Sequence, residues 1–87
     1  EDILTALTQW EASVAVEANK RAQVARSNEE LAITQLMYKE GLGAQIDLLN
    51  AQVDNQRVRT EHLNSIKEMH LALVSLKQAM SAYEPAQ

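Results

Sequence analysis

Apolar positions along this chain recur every three or four residues, and the rhythm breaks once. No glycine or proline occurs from Asp2 to Tyr38, nor again from Ala44 to Glu84. Between these runs lies the chain's only glycine cluster, Lys39, Glu40, Gly41, Leu42 and Gly43. Neither run alternates apolar and polar residues as a half-buried strand does. The pattern predicts helices over residues 2–39 and 45–83, joined by a turn over 40–44, with Pro85 as the stop after the second. At 1.5 Å per residue each helix extends roughly 55–60 Å. Gly41 is the expected terminator of the first, because glycine takes a positive φ without a Cβ penalty. The predicted fold is all-α: a long antiparallel two-helix coiled-coil hairpin, one domain over residues 1–87.

Residue sizes suggest a register. In the first run Ala15, Ala18, Ala22, Ala25, Glu29, Ala32 and Leu36 follow alternating three- and four-residue steps, the spacing of a coiled-coil seam. Upstream, Ile3, Leu7, Trp10 and Val14 step the same way on a neighbouring stripe. In the second run a stripe of larger residues runs from Ile46, Leu49 and Val53 through Gln56, Thr60, Leu63, Ile66 and Met69 to Leu73, Leu76, Met80 and Tyr83. Folding the chain about Leu42–Gly43 sets Leu36 opposite Leu49, Ala32 opposite Val53, Ala25 opposite Thr60 and Ala22 opposite Leu63. Small residues facing large ones let helices approach and interdigitate. Glu29 then faces Gln56 in a polar layer of the kind that fixes register. Val16, Val24, Leu31, Leu48, Val58, Leu71 and Val74 fall off both stripes, so each helix is expected to pack on more than one neighbour.

Composition narrows the function classes. With 87 residues, abundant alanine, one Trp, two Tyr and no Phe, two helices cannot cover both of their apolar faces, and self-association is expected. The net charge of −4 carries no basic patch for nucleic acid and no lysine-rich face for a membrane surface. Cysteine is absent, and no apolar run approaches the ~20 residues of a spanning helix. A start in mid-pattern without Met suggests a piece of a larger protein. His62 and His70 stand apart without a ligand cluster, and Glu29–Glu30 reads as a solvated pair or a seam layer. No nucleophile elbow, phosphate loop or metal motif occurs. The expectation is therefore a non-enzyme with no cofactor.

The turn carries a family resemblance. Residues 38–52, YKEGLGAQIDLLNAQ, resemble the repeat signature of TolC-like outer membrane efflux proteins, which runs Tyr-x-x-Gly-hydrophobic and then Asp-x-Leu-Asp/Asn-Ala-Gln. The helix before it, ending in Leu36, Met37 and Tyr38, and the helix after it, down to Leu76, Lys77, Gln78 and Ala79, extend the likeness over nearly the whole chain. The resemblance implies a trimeric duct with a β-barrel in the outer membrane and an α-helical barrel in the periplasm. In such a duct the hairpin turns form a periplasmic tip that admits substrate and docks the hairpins of a periplasmic adaptor. By motif match Gly41, Leu42 and Gly43 fall on the adaptor-docking tip, with Glu40 where that element begins on an apolar residue. Tyr38, Asp47 and Asn50 fall on entrance or gate positions. Asn50 stands where some members have a second aspartate, and Gly43 where they have a gating arginine.

Simpler roles exist for the same residues. Tyr38 suits a helix end, Asp47 the first turn of a helix, and Trp10 packing. Both glycines are expected to be needed by the turn. Leu42 is different, because an apolar residue at an exposed tip has no packing role inside an isolated hairpin. Two other functions compete with the duct. An adaptor's own hairpin carries Arg-x-x-x-Leu and then Ser at its tip; Arg59 and Leu63 have that spacing, but His70 replaces Ser and the set lies mid-helix. A secreted helical hairpin of the Trp-x-Gly kind needs Trp at the turn, and Trp10 is far from Gly41.

Overall fold

The computed structural model of the chain describes residues 2–83; Pro85, the expected helix stop, lies outside the described residues, as does the side chain of Tyr83. Two helices, α1 (Ile3–Lys39) and α2 (Gln45–Tyr83), pack along their whole lengths as an antiparallel hairpin. The rod measures 68 × 18 × 13 Å. The helix bounds agree with the sequence pattern to within a residue.

The face each helix turns inward is not the expected one. On α1 one buried and half-buried series runs through Ile3, Ala6, Trp10, Ser13, Glu17, Lys20, Val24, Ser27, Leu31 and Thr34, with Val14 and Gln23 half-buried beside it. On α2 the matching series runs through Leu48, Ala51, Asn55, Val58, His62, Ser65, Met69, Ala72, Leu76 and Ala79, with Asp54, Glu61, Ile66, Leu73 and Ser75 half-buried on its flanks. Both series keep strict alternating three- and four-residue steps. They are also symmetric about Gly41: Ser27 and Asn55, which are hydrogen-bonded, each lie fourteen residues from it. Ala6 and Leu76, members of one core cluster with Ala79, each lie thirty-five residues away. Trp10 and Ile3 pack against that cluster.

The expected register is thus corrected. Ala22, Ala25, Ala32 and Leu36 are exposed, and so are Leu49, Val53, Thr60 and Leu63. Two physical reasons account for this. First, the chain reverses on Gly41, so pairing is centred there and not on Leu42–Gly43. Second, the stripe of large residues on α2 is not one face. Thr60, Leu63, Ile66 and Met69 follow in successive three-residue steps, so Thr60 and Met69 are nine residues apart, which at about 100° per residue puts them on opposite sides. Thr60 is exposed and Met69 half-buried, as that rotation requires. The residues that had no place on the expected stripes supply part of the true seam: Val58 is buried, and Val24, Leu31 and Leu48 are half-buried.

Polar groups occupy the middle of the seam, and they are paired. Asn55 Nδ2 donates to Ser27 Oγ at 3.1 Å and to Asn28 Oδ1 at 2.8 Å. His62 Nε2 lies 2.9 Å from Glu17 Oε2, and Lys20 Nζ donates to Glu61 Oε1 at 3.2 Å. Arg57 binds both Asp54 at 2.6 Å and Glu61 at 2.8 Å along α2. Glu29, the expected polar layer, is exposed, as is Gln56; Ser27 and Asn55 take that role. A buried polar layer with its partners present costs little, while one that loses a partner is expensive.

Candidate functional site

Local backbone chemistry builds the tip. Glu40 caps α1, and its N–H donates to Leu36 O at 3.0 Å. Gly41 follows at φ +77° and donates to Tyr38 O at 3.1 Å. Leu42 N–H then reaches back to Met37 O at 2.8 Å. This pair of bonds is a Schellman motif, which satisfies the last carbonyls of a helix and requires a left-handed residue at its centre. Gly41 supplies that residue. Gly43 does not have a positive φ, and a Cβ built there meets Met37 Cβ at an ordinary 3.6 Å. The expectation that the turn needs both glycines is corrected: it needs Gly41 alone. Helix α2 starts with Ala44 O accepting from Asp47 at 3.1 Å and from Leu48 at 3.4 Å.

The turn holds Leu42 outward, 74% exposed. Met37, Tyr38, Ile46 and Leu49 are also exposed, so large apolar side chains share the surface of the tip with Lys39, Glu40, Gln45 and Asp47. Tyr38, Gln45, Ile46, Leu48, Leu49 and Gln52 line an open groove of about 510 Å³ beside the turn. Asp47 sits in the first turn of α2, where a carboxylate favours the helix dipole. Asn50 lies one turn further on, exposed. The structure therefore brings Gly41, Leu42 and Gly43 together and sets Tyr38 beside them, while Asp47 and Asn50 stand outside the groove.

Sequence reasoning missed Ile46 and Leu49 as tip-surface residues by assigning them to the seam. The signal that would have found them is the half-turn displacement between Thr60 and Met69. Arg59 and Leu63 lie exposed in the middle of α2. Among the described residues no group of His, Asp or Glu is placed to hold a metal ion, and no helix is long and apolar enough to cross a membrane.

The strongest electrostatic perturbations lie along the rod, away from the tip. Hydrogen bonds from Lys20 and then Arg57 hold the Glu61 carboxyl below the usual carboxylate range. Its bonds to Asp54 and then Glu61 raise Arg57 further above its already high value. Both are partners in a surface network that links the helices, not reactive groups. Comparison with protein-family models, curated proteins and solved structures gave no match to this chain.

Proposed function

We propose that this chain is the periplasmic tip hairpin of an outer membrane efflux or secretion duct of the TolC-like kind, and that its turn docks a periplasmic adaptor. The observation that supports this reading is the tip leucine: Leu42 is 74% exposed on a turn whose backbone is otherwise fully explained by helix capping. A Schellman motif often adds an apolar contact between its C″ and C3 residues, here Leu42 and Met37, but with Leu42 74% exposed most of the side chain stays free to meet something outside the hairpin. Together with the YKEGL sequence at residues 38–42, this favours a docking surface over a bare connection. Tyr38, in the groove next to the turn, lies at the edge of that surface. Asp47 and Asn50 would line the entrance when several tips converge.

Burying a leucine side chain contributes about 1.5–3 kcal/mol, which is roughly tenfold to a hundredfold in affinity per tip. Several tips on one trimer would multiply the effect through avidity. The test is Leu42→Asp in the full-length protein. It should leave trimer assembly and membrane insertion intact, since the hairpin buries little of Leu42, while abolishing adaptor crosslinking and export. Unchanged crosslinking with export at the unmutated rate would remove the tip as the docking surface.

A further inference from the structure

Two basic side chains sit level with one another in the seam. Lys20 and His62 each lie twenty-one residues from Gly41, and both are half-buried. Each has its own carboxylate on the other helix: Lys20 Nζ donates to Glu61 Oε1 at 3.2 Å, and His62 Nε2 meets Glu17 Oε2 at 2.9 Å. The second pair is the better shielded from water. The side chains of His62 and Glu17 are 20% and 14% exposed, against 30% and 35% for Lys20 and Glu61. Of the charged and titratable residues in the seam series, Glu17, Lys20 and His62, only the histidine is of a type whose charge changes between pH 5 and 8. The pair lies between the core cluster of Ala6, Leu76 and Ala79 and the Ser27–Asn55 layer.

We propose that Glu17 and His62 form a pH-sensitive clasp across the seam, which tightens as the ring takes up a proton and slackens as the ring loses it. A neutral ring with its hydrogen on Nε2 donates an ordinary hydrogen bond to Glu17. A charged ring donates the same bond with opposite charges at its two ends, and charge-assisted bonds are about twice as strong. The other charged groups around the ring do not cancel this gain. On α1, Lys20 would repel a charged ring, but its ammonium is held by Glu61. Arg21 reaches the other oxygen of Glu17 at 3.7 Å, with its own side chain 67% exposed. On α2, Arg59 lines a concavity with Val24, His62 and Leu63 and is exposed, so water and salt screen it. Glu61 is taken up by Lys20 and Arg57. The carboxylate in direct contact with the ring is Glu17.

A folded state that favours the charged ring takes up its proton more readily than the unfolded chain does, and stability then falls as pH rises through the imidazole range. Glu61 does not blur that range, because Lys20 and Arg57 hold its carboxyl below the usual carboxylate values. Near pH 5.5 the polar middle of the seam therefore joins the tip half to the stem more firmly than at pH 8. The clasp is built from stem residues, so it stands or falls independently of docking at Leu42.

Two measurements on the chain test the clasp. In proton NMR the ring signals of His62 should keep their charged position to a higher pH than those of His70, which is exposed on α2 and serves as the reference in the same sample. In urea unfolding at one fixed protein concentration, the folding equilibrium constant should drop about fivefold between pH 5.5 and 8, the difference between a charged and a neutral hydrogen bond. That moves the urea midpoint down by about 1 M. Glu17→Gln keeps an acceptor but not the charge, and should lose most of this pH dependence. His70→Gln should keep it. Parallel pH profiles in the parent and Glu17→Gln chains, or a His62 ring that loses its proton at or below the pH at which His70 does, would overturn the proposal.

Discussion

The Ser27–Asn55 layer gives the sharpest test of how the hairpin holds its register. Both side chains are buried, at 5% exposure each. Asn55 donates to Ser27 Oγ and to Asn28 Oδ1. Replacing Asn55 by Ala removes both donors. Asn28 is exposed and rehydrates, so its bond is recovered from water. Ser27 has no such recourse, and a buried polar group left without a partner costs about 1–3 kcal/mol. Ser27→Ala is milder, because Asn55 keeps its bond to Asn28. In the double variant the unpaired hydroxyl is gone, and removing both partners together is close to neutral. The double variant should therefore be more stable than the sum of the singles by about 1 kcal/mol. The assay is urea unfolding followed by helical circular dichroism, at one fixed protein concentration because association would add to apparent stability. With a slope near ~1 kcal/mol per molar for so small a chain, Asn55→Ala should move the midpoint by about 1–3 M. Singles that add within ~0.3–0.5 kcal/mol, or an Asn55→Ala chain as stable as the parent, would refute the claim that this layer holds the register.

Other expectations can be checked on the same chain. Gly41→Ala should destabilise by about 1–2 kcal/mol, since Gly41 sits at φ +77° and a left-handed backbone costs other residues that much. Gly43→Ala should be neutral or slightly stabilising, because its Cβ meets only an ordinary 3.6 Å contact and an alanine restricts the unfolded chain; equal losses at both sites in thermal unfolding would contradict the turn described. The Glu61 carboxyl is held below its usual range in the folded state, so its contribution is present above the unfolded value near 4.3 and is lost as pH falls through the lower folded one. Glu61→Gln should flatten that acid limb of the stability profile, and a parallel profile would deny the Lys20–Glu61 link. In hydrogen exchange, amides of residues 30–38 and 48–53 should exchange faster than those of 58–76, whereas uniform protection would argue against a loosely packed tip.

The fold class was legible because it rests on breaks and caps. One glycine cluster between two glycine-free runs leaves little choice but a hairpin, and Gly41 as terminator follows from its backbone freedom. The seam was not legible from apolar content, because the inward face is not the most apolar one. It includes Glu17, Lys20, Ser27, Asn55 and His62, whose polar groups are tolerated because each meets a partner from the other helix. The outward face meanwhile carries Leu36, Leu49, Val53 and Leu63. Counting apolar residues selects the second face, whereas following one unbroken alternation of three- and four-residue steps outward from Gly41 selects the first. At the tip, the exposure of Leu42 could be read from its place between two glycines. The groove beside it could not, because Ile46 and Leu49 belong to the apolar stripe of α2, which residue type alone points inward and the structure leaves exposed.

The distribution of burial along the rod connects these observations. Among the described residues the buried apolar ones, Ala6, Val58, Leu76 and Ala79, all lie on the stem side of the Ser27–Asn55 layer. Toward the turn the seam offers only half-buried positions such as Leu31, Leu48 and Ala51. The large side chains of that half, Ile33, Leu36, Ile46, Leu49 and Val53, face solvent instead. A segment built this way gains little from its own partner helix and much from whatever covers its outside. Local stability follows local burial, so intrachain packing sets the stem more firmly than the tip. Had the same residues been turned inward, the face left outside would have been that of Ser27, Leu31, Thr34, Leu48, Ala51 and Asn55, a more polar surface with less to bury. The polar layer marks the boundary between the two regimes: it aligns the helices from the stem side, and that alignment keeps the apolar residues of the tip pointing outward.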